Sequence, residues 1–393
     1  MTTNKALSLV LGTWLAFSCQ KPLPDNSIVI GEKDSLRSEV LKETRPYLVY
    51  LPPAAKDPSR KFPVLYLLDG DAHFHSVSAL IQILGTGVNG TNVVPEMIVV
   101  AIPNTDRTRD LTPTHTDIMN GQKSDFLKTS GGGPAFLKFI KEELIPRIES
   151  RYPSNPYRVL VGHSFGGITA INALYTIPET FDGYIAIDPS IWWDQRILLR
   201  KADSIFTNKN YEGKYFFLSQ ANTLNPGEST NDHFGAIKEY VKVLENRGSS
   251  GLQWSYKYYP NDSHGSVPMI SEYDGLRFIF EDFQPSFDKI GKDPDLVVKN
   301  FAKYRQLPSE NTINRFGYTA MAIGDLELAQ RYFQMNIDNY PQSSNVYDSM
   351  GELWMTKGDT TKSIQNYKKS IELDPRNDNA QEQIAKMRGK PAS

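Results

Sequence analysis

The sequence predicts an α/β fold, a mainly parallel sheet covered by helices on both faces, followed by an all-helical segment. Three observations carry this reading. Short apolar runs alternate with helical stretches from about residue 28 to 283. One of those runs passes through Gly-x-Ser-x-Gly into a helical stretch. Beyond about residue 284 the strand pattern stops and a 34-residue repeat begins. Strands interleaved with helices predict parallel pairing, and a fixed period predicts stacked repeats.

The elements follow in order. Tyr47 to Leu51 (YLVYL) reads as a strand ended by Pro52 and Pro53, and Val64 to Leu68 as a continuous apolar run ended at Asp69-Gly70. Met97 to Ile102 stops at Pro103, and Phe136, Phe139, Ile140, Leu144 and Ile148 recur at helical spacing. The runs Val159–Val161, Tyr184–Ile187, Tyr215–Leu218 and Trp254–Tyr259 complete the set. Uninterrupted apolar strands suit a sheet buried on both faces, whose chemistry lies at the C-terminal ends of its strands.

In the helical region, 290–388, Gly317 recurs as Gly351, Gly324-Asp325 as Gly358-Asp359, Phe333 as Tyr367, Ile337 as Ile371 and Pro341 as Pro375. Each unit is a helix, a Gly-Asp turn, a helix and a proline, which resembles the tetratricopeptide repeat. Two such units are marginal alone. They are expected to lean on the preceding domain or to meet a protein partner or a second copy in a homodimer. Gln381 to Met387 supplies a capping helix.

Composition excludes some classes. A net charge of −2 over 393 residues, with no basic run interleaved with aromatics, argues against a nucleic-acid partner. The single cysteine, Cys19, rules out an intramolecular disulfide and a cysteine metal cluster. Ala6 to Ser18 is a short apolar run after Lys5, so residues 1–18 read as a signal peptide. Ser18-Cys19 followed by QKPLPDN resembles a bacterial lipoprotein cleavage site. That implies lipid on the Cys19 sulfur, a tether over 20–26, and an exported protein, periplasmic or lipid-anchored at the outer membrane. No stretch reaches the ~20 apolar residues of a spanning helix, so the membrane is expected to be touched only through such an anchor.

The chemistry centres on Gly162-His-Ser-Phe-Gly-Gly167, between Arg158–Val161 and Ile168–Leu174. A serine on a tight strand-to-helix turn adopts strained dihedrals and stands clear of the sheet, with the following helix N-terminus favouring negative charge nearby. This makes Ser164 the candidate nucleophile. In this arrangement the acid and then the histidine follow the serine in the chain. Of six histidines, His73, His75 and His115 precede Ser164 and His163 lies within the turn, leaving His233 and His264. His264 follows the last strand and is the expected general base, whereas His233 lies near the place of the third member.

The acid is expected after Tyr215–Leu218. Asp232 and Glu228 are the candidates, with Asn222 as a non-ionised alternative and a serine–histidine dyad as another. Asp232 also suits the N-terminus of a helix over Phe234–Asn246. The N–H of Phe165 is the expected first oxyanion donor, and that of Asp71 or Gly70 the second. Trp192 and Trp193, in Asp188-Pro-Ser-Ile-Trp-Trp193, are expected to overhang the pocket, either stacking on a substrate or packing as core and lid. Arg107 and Arg109 follow another strand end; Arg109 is read as holding an acidic substrate group or as pairing with Asp110. Serine hydrolysis needs no metal, and neither metal nor cofactor is expected.

Together, YLLDGDAHF, VAIPNTDRTRDLTPT, LVGHSFGG, IDPSIWW and NDSHGSVP resemble the putative-esterase family of α/β-hydrolases over roughly residues 30–283. That family includes siderophore, feruloyl and acetyl-xylan esterases and S-formylglutathione hydrolase. The resemblance implies a serine esterase with Ser164 as nucleophile and His264 as base, acting on a small-molecule siderophore, feruloyl or acetyl ester. It is strongest to the siderophore-esterase branch, whose members can lack a functional acid. The helical tail departs from the family pattern. The alternatives are a peptidase or thioesterase with the same machinery, or a non-catalytic binding protein that uses the repeats.

Overall fold

The computed structural model describes Asn26, Lys289, Asp293 and residues 28–85, 93–119, 121–247, 251–283 and 295–389. The expected signal peptide and Cys19 lie outside the described residues. From Gly31 on, the described residues belong to one compact unit. No helix among the described residues is long and apolar enough to cross a membrane.

The chain lays down β1 (Glu32–Arg37), β2 (Thr44–Tyr50), β3 (Phe62–Leu68), α1 (Gly70–Gly85), β4 (Ile98–Ile102) and α2 (Arg107–Asp110). A small hairpin, β5 (Ile118–Met119) and β6 (Gln122–Lys123), leads to α3 (Gly133–Phe139) and α4 (Ile145–Arg151). Then come β7 (Ser154–His163), α5 (Phe165–Thr176), β8 (Gly183–Ile187), α6 (Trp193–Asn208), β9 (Tyr215–Ala221), α7 (Asp232–Arg247), β10 (Gln253–Tyr259) and α8 (Val267–Ile279). One eight-stranded sheet runs in the order β1-β2-β4-β3-β7-β8-β9-β10. It is parallel from β4 to β10, with β1 and β2 antiparallel at one edge. The edge strand β1 (EKDSLR) is largely exposed, and its polar sequence hides it from a search for apolar runs.

All seven residues of β3 are buried, and successive side chains enter opposite faces. Tyr66 and Leu68 pack with α3, α5 and α6, while Leu65 and Leu67 pack with α1 and α8. The helical stretch read over Phe136–Ile148 forms as α3 and α4 joined by a wider turn at Ile140–Leu144, next to Pro146, which has no N–H to close an ordinary turn. Helix α6 opens irregularly: Asp194, Gln195 and Arg196 have φ of 44°, 52° and 61°.

The tail comprises α9 (Leu296–Lys303), α10 (Glu310–Ala322), α11 (Leu326–Asn339), α12 (Ser344–Thr356), α13 (Thr360–Leu373) and α14 (Asp378–Met387). The repeated residues have matching physical jobs. Gly324 and Gly358 turn the chain at φ of 84° and 81°, and Asp325 and Asp359 accept from the N–H of Leu328 and Lys362. Gly317 and Gly351 let α10 and α12 approach an aromatic: a Cβ would sit 2.3 Å from Phe333 and 3.0 Å from Tyr367. The tail leans on the sheet domain. Tyr304 meets the rings of Tyr157 and Phe280 at 5.4 and 5.0 Å, and Asn155 Nδ2 donates to the carbonyls of Tyr304 and Arg305. The change of pattern near residue 284 therefore marks a change of architecture within one packed core.

Candidate active site

Strand β7 delivers Ser164 to the rim of the sheet at φ 60° and ψ −112°, a conformation that costs a non-glycine residue energy. The turn is tight because Gly162 packs on Gly166; a Cβ on Gly162 would lie 2.2 Å from the Gly166 carbonyl oxygen. The Ser164 N–H donates to Ile187 O at 2.9 Å, and its carbonyl accepts from Ser190 N–H at 3.1 Å, which ties the turn to the end of β8. Among the described residues its Oγ has one hydrogen-bond neighbour, Ser190 Oγ at 3.2 Å.

His264 sits in the loop after β10, its ring 4.4 Å from that of His163, the residue before Ser164. Its Nδ1 is 2.5 Å from Oδ2 of Asp188, which is fully buried at the end of β8. The other oxygen of Asp188 accepts from the Ala221 N–H at 2.9 Å. Burial alone would push this carboxyl up, but His233 and His264 outweigh it and hold the group well below the usual carboxylate range.

The acid partner is thus corrected. Asp232 is exposed and bound to Arg196 at 2.5 Å, while Glu228 is exposed and bound to Asn225 at 2.9 Å. Neither touches His264, and Asn222 instead donates to Pro260 O. Nor is the histidine left without a carboxylate, as a dyad would require. The overlooked signal was Asp188 itself, an acidic residue ending an apolar strand that directly follows the serine's helix.

The first turn of α1 lies against the serine turn, since a Cβ on Gly166 would be 3.3 Å from Asp69 Oδ2. Gly70 and Asp71 open α1, where backbone N–H groups have no intrahelical partner, as Phe165 opens α5. Gly70 must be glycine, because a Cβ would meet Ile102 N at 2.7 Å. The Asp71 carboxylate accepts from the Asn104 N–H and Nδ2. Asp69 holds Arg107 at 2.7 and 2.9 Å, and Arg107 reaches His163 O at 3.3 Å.

For two further residues the structure selects one of the two readings. Arg109 is held by Glu43 and Asp110, both at 2.7 Å, with Arg45 buried against Asp110 at 2.6 Å, so its guanidinium is committed to the fold. The Arg109 contact holds the Glu43 carboxyl down at about 2. Trp193 is 1% exposed, stacks edge-on to Phe165 and bonds Thr114, so it is core. Trp192 is half-buried, and its Nε1 donates to His233 Nδ1 at 3.1 Å.

Asp188, His233 and His264 bring three ligand-type atoms within 4.8 Å of one another. The hydrogen bonds above already occupy most of that capacity: Trp192 fills His233 Nδ1, and Asp188 fills His264 Nδ1.

A strained serine after a central strand, and a late-loop histidine held by a buried carboxylate, place the molecule among the α/β-hydrolases. The family model described as "Putative esterase" matches residues 38–226. The chain is 30% identical to the ferri-bacillibactin esterase BesA of Bacillus subtilis, covering 60% of this chain and 85% of that protein. It is 28% identical to the siderophore triacetylfusarinine C esterase of Aspergillus fumigatus, over 56% of this chain and 82% of that one. The crystal structure of an IroE-like serine hydrolase from Shewanella oneidensis superposes with a TM-score of 0.70 at 33% identity, covering 78% of this chain and 98% of that chain. The chain belongs to the putative-esterase family and is a carboxylic ester hydrolase.

Proposed function

We propose that this protein hydrolyses siderophore-type esters through an acyl-enzyme on Ser164, with His264 as general base and Asp188 as the acid that orients it. The observation that carries the reading is a strained Ser164 at the end of β7 with Asp188, which binds His264, at the end of the neighbouring β8. The names of the relatives BesA and the triacetylfusarinine C esterase support the substrate class.

Each group has a definite task. Ser164 turns its hydroxyl from Ser190 to His264, which takes the proton as Oγ attacks the ester carbonyl carbon. The oxyanion rests on the N–H groups of Phe165 and of Gly70 or Asp71. The intermediate expels the alcohol, which receives the proton from His264. Water then gives a proton to His264 and attacks the acyl carbon, releasing the acid and restoring Ser164. Trp192 forms part of the pocket wall. We further propose export, with lipid on Cys19 as the anchor.

The test is a substrate panel with the full chain: catecholate and hydroxamate siderophore esters, feruloyl and acetyl-sugar esters, p-nitrophenyl acyl esters and peptide anilides. Siderophore esters are expected to give the highest kcat/KM, and Ser164→Ala and His264→Ala to abolish turnover while a fluorophosphonate labels Ser164 in the parent. Absent labelling of the parent refutes the covalent mechanism, and preference for a simple acyl ester or an anilide refutes the substrate class.

A further inference from the structure

A second histidine stands on the carboxylate that holds the first. His233 Nε2 lies 3.1 Å from Asp188 Oδ2, the same oxygen that His264 Nδ1 contacts. The two imidazoles meet edge to face, with centroids 5.3 Å apart and planes at 85°. His233 Nε2 is buried and has no hydrogen bond of its own in this arrangement. Its other nitrogen is fixed: an indole N–H only donates, so Nδ1, receiving Trp192 Nε1 at 3.1 Å, carries no proton. The proton of the neutral ring is therefore on Nε2, facing Asp188.

On this basis, and resting on the proposed roles of Ser164 and His264, we propose that His233 is a positioning residue: a neutral Nε2–H tautomer, locked by Trp192, that braces Asp188 against His264. A small turn of the imidazole aligns this N–H with Oδ2. The chain Trp192–His233–Asp188–His264 then links the pocket wall to the catalytic base. A metal does not fit as well, because its binding at Nε2 would put a proton on Nδ1, opposite the indole N–H.

The test compares His233→Phe, which removes both contacts, with His233→Gln, whose amide N–H₂ takes the place of Nε2. In the full chain His233→Phe is expected to lower kcat about tenfold with KM changed less than about twofold, the loss of a charge-assisted bond made to the reacting system. His233→Gln is expected to recover most of that loss. In the parent, ¹⁵N spectra are expected to show His233 neutral at pH 7.5 with its proton on Nε2. A parent-like kcat in His233→Phe, a His233→Gln variant as slow as His233→Phe, or a proton on Nδ1 overturns the proposal. Should His233→Phe fail to fold, the glutamine variant and the spectra still decide. Failure of the parent to label at Ser164 would instead sink the proposed function and leave the tautomer measurement standing.

Discussion

His264 Nδ1 and Asp188 Oδ2 lie 2.5 Å apart, joining the loop after the last strand to the end of the strand beside the serine's own. The two residues are 76 positions apart in the chain, and the parallel order of β7, β8, β9 and β10 brings them together. Asp188→Asn keeps the shape but leaves the imidazole in the wrong tautomer. It is expected to lower kcat about 10³–10⁴-fold. Asp232→Asn and Glu228→Gln, whose carboxylates serve Arg196 and Asn225, are expected to stay within about twofold. Steady-state rates on a p-nitrophenyl ester settle which carboxylate matters.

The paired tryptophans should separate cleanly. Trp193 is buried beside Phe165, so Trp193→Ala is expected to destabilise the fold by about 3–5 kcal/mol. Trp192→Ala costs much less stability and mainly raises KM. Denaturant unfolding together with kinetics reads both. Equal stability losses would show Trp192 to be core as well.

Glu272 on α8 is 2% exposed, and burial pushes its carboxyl up to about 8, with His73 Nδ1 3.6 Å away. The unfolded chain releases this proton near the ordinary glutamate value, while the folded state keeps it to about pH 8. The native state therefore binds more protons between those limits, and stability falls as pH rises through the window. Glu272→Gln is expected to flatten that slope and to raise the melting temperature at pH 8 more than at pH 5. A parent whose stability does not decline between pH 5 and 8 would contradict this.

The two repeat glycines should differ in tolerance. Gly317→Ala forces a Cβ to 2.3 Å from Phe333 and is expected to cost about 1–3 kcal/mol. Gly351→Ala, at 3.0 Å from Tyr367, is expected to cost less. Thermal melts of the two variants, compared with the parent, give the order directly.

The legible parts were those in which one segment carries its own reason. Gly162, Ser164 and Gly166 lie within a five-residue turn, and Gly324-Asp325 and Gly358-Asp359 each close one hairpin, so local order sufficed. The apolar runs that became β3, β4, β8 and β9 were equally plain, because burial on both faces leaves no polar position. β1 was not, since an edge strand has no such demand. Trp193 and Arg109 stayed open between two readings because exposure depends on what packs above them. Phe165 and Thr114 cover the one, and Glu43, Asp110 and the buried Arg45 surround the other.

By itself the sequence determined the turn that strains Ser164, the histidine that can follow the last strand, and the repeat that builds the tail, for each is written in contiguous residues. Tertiary structure alone decided that Asp188, rather than Asp232 or Glu228, receives His264, and that His233 shares the same oxygen. Those choices depend on which strand ends stand side by side and which carboxylate is sealed from water. A charge withdrawn from solvent must find its donors in space, wherever the chain has placed them.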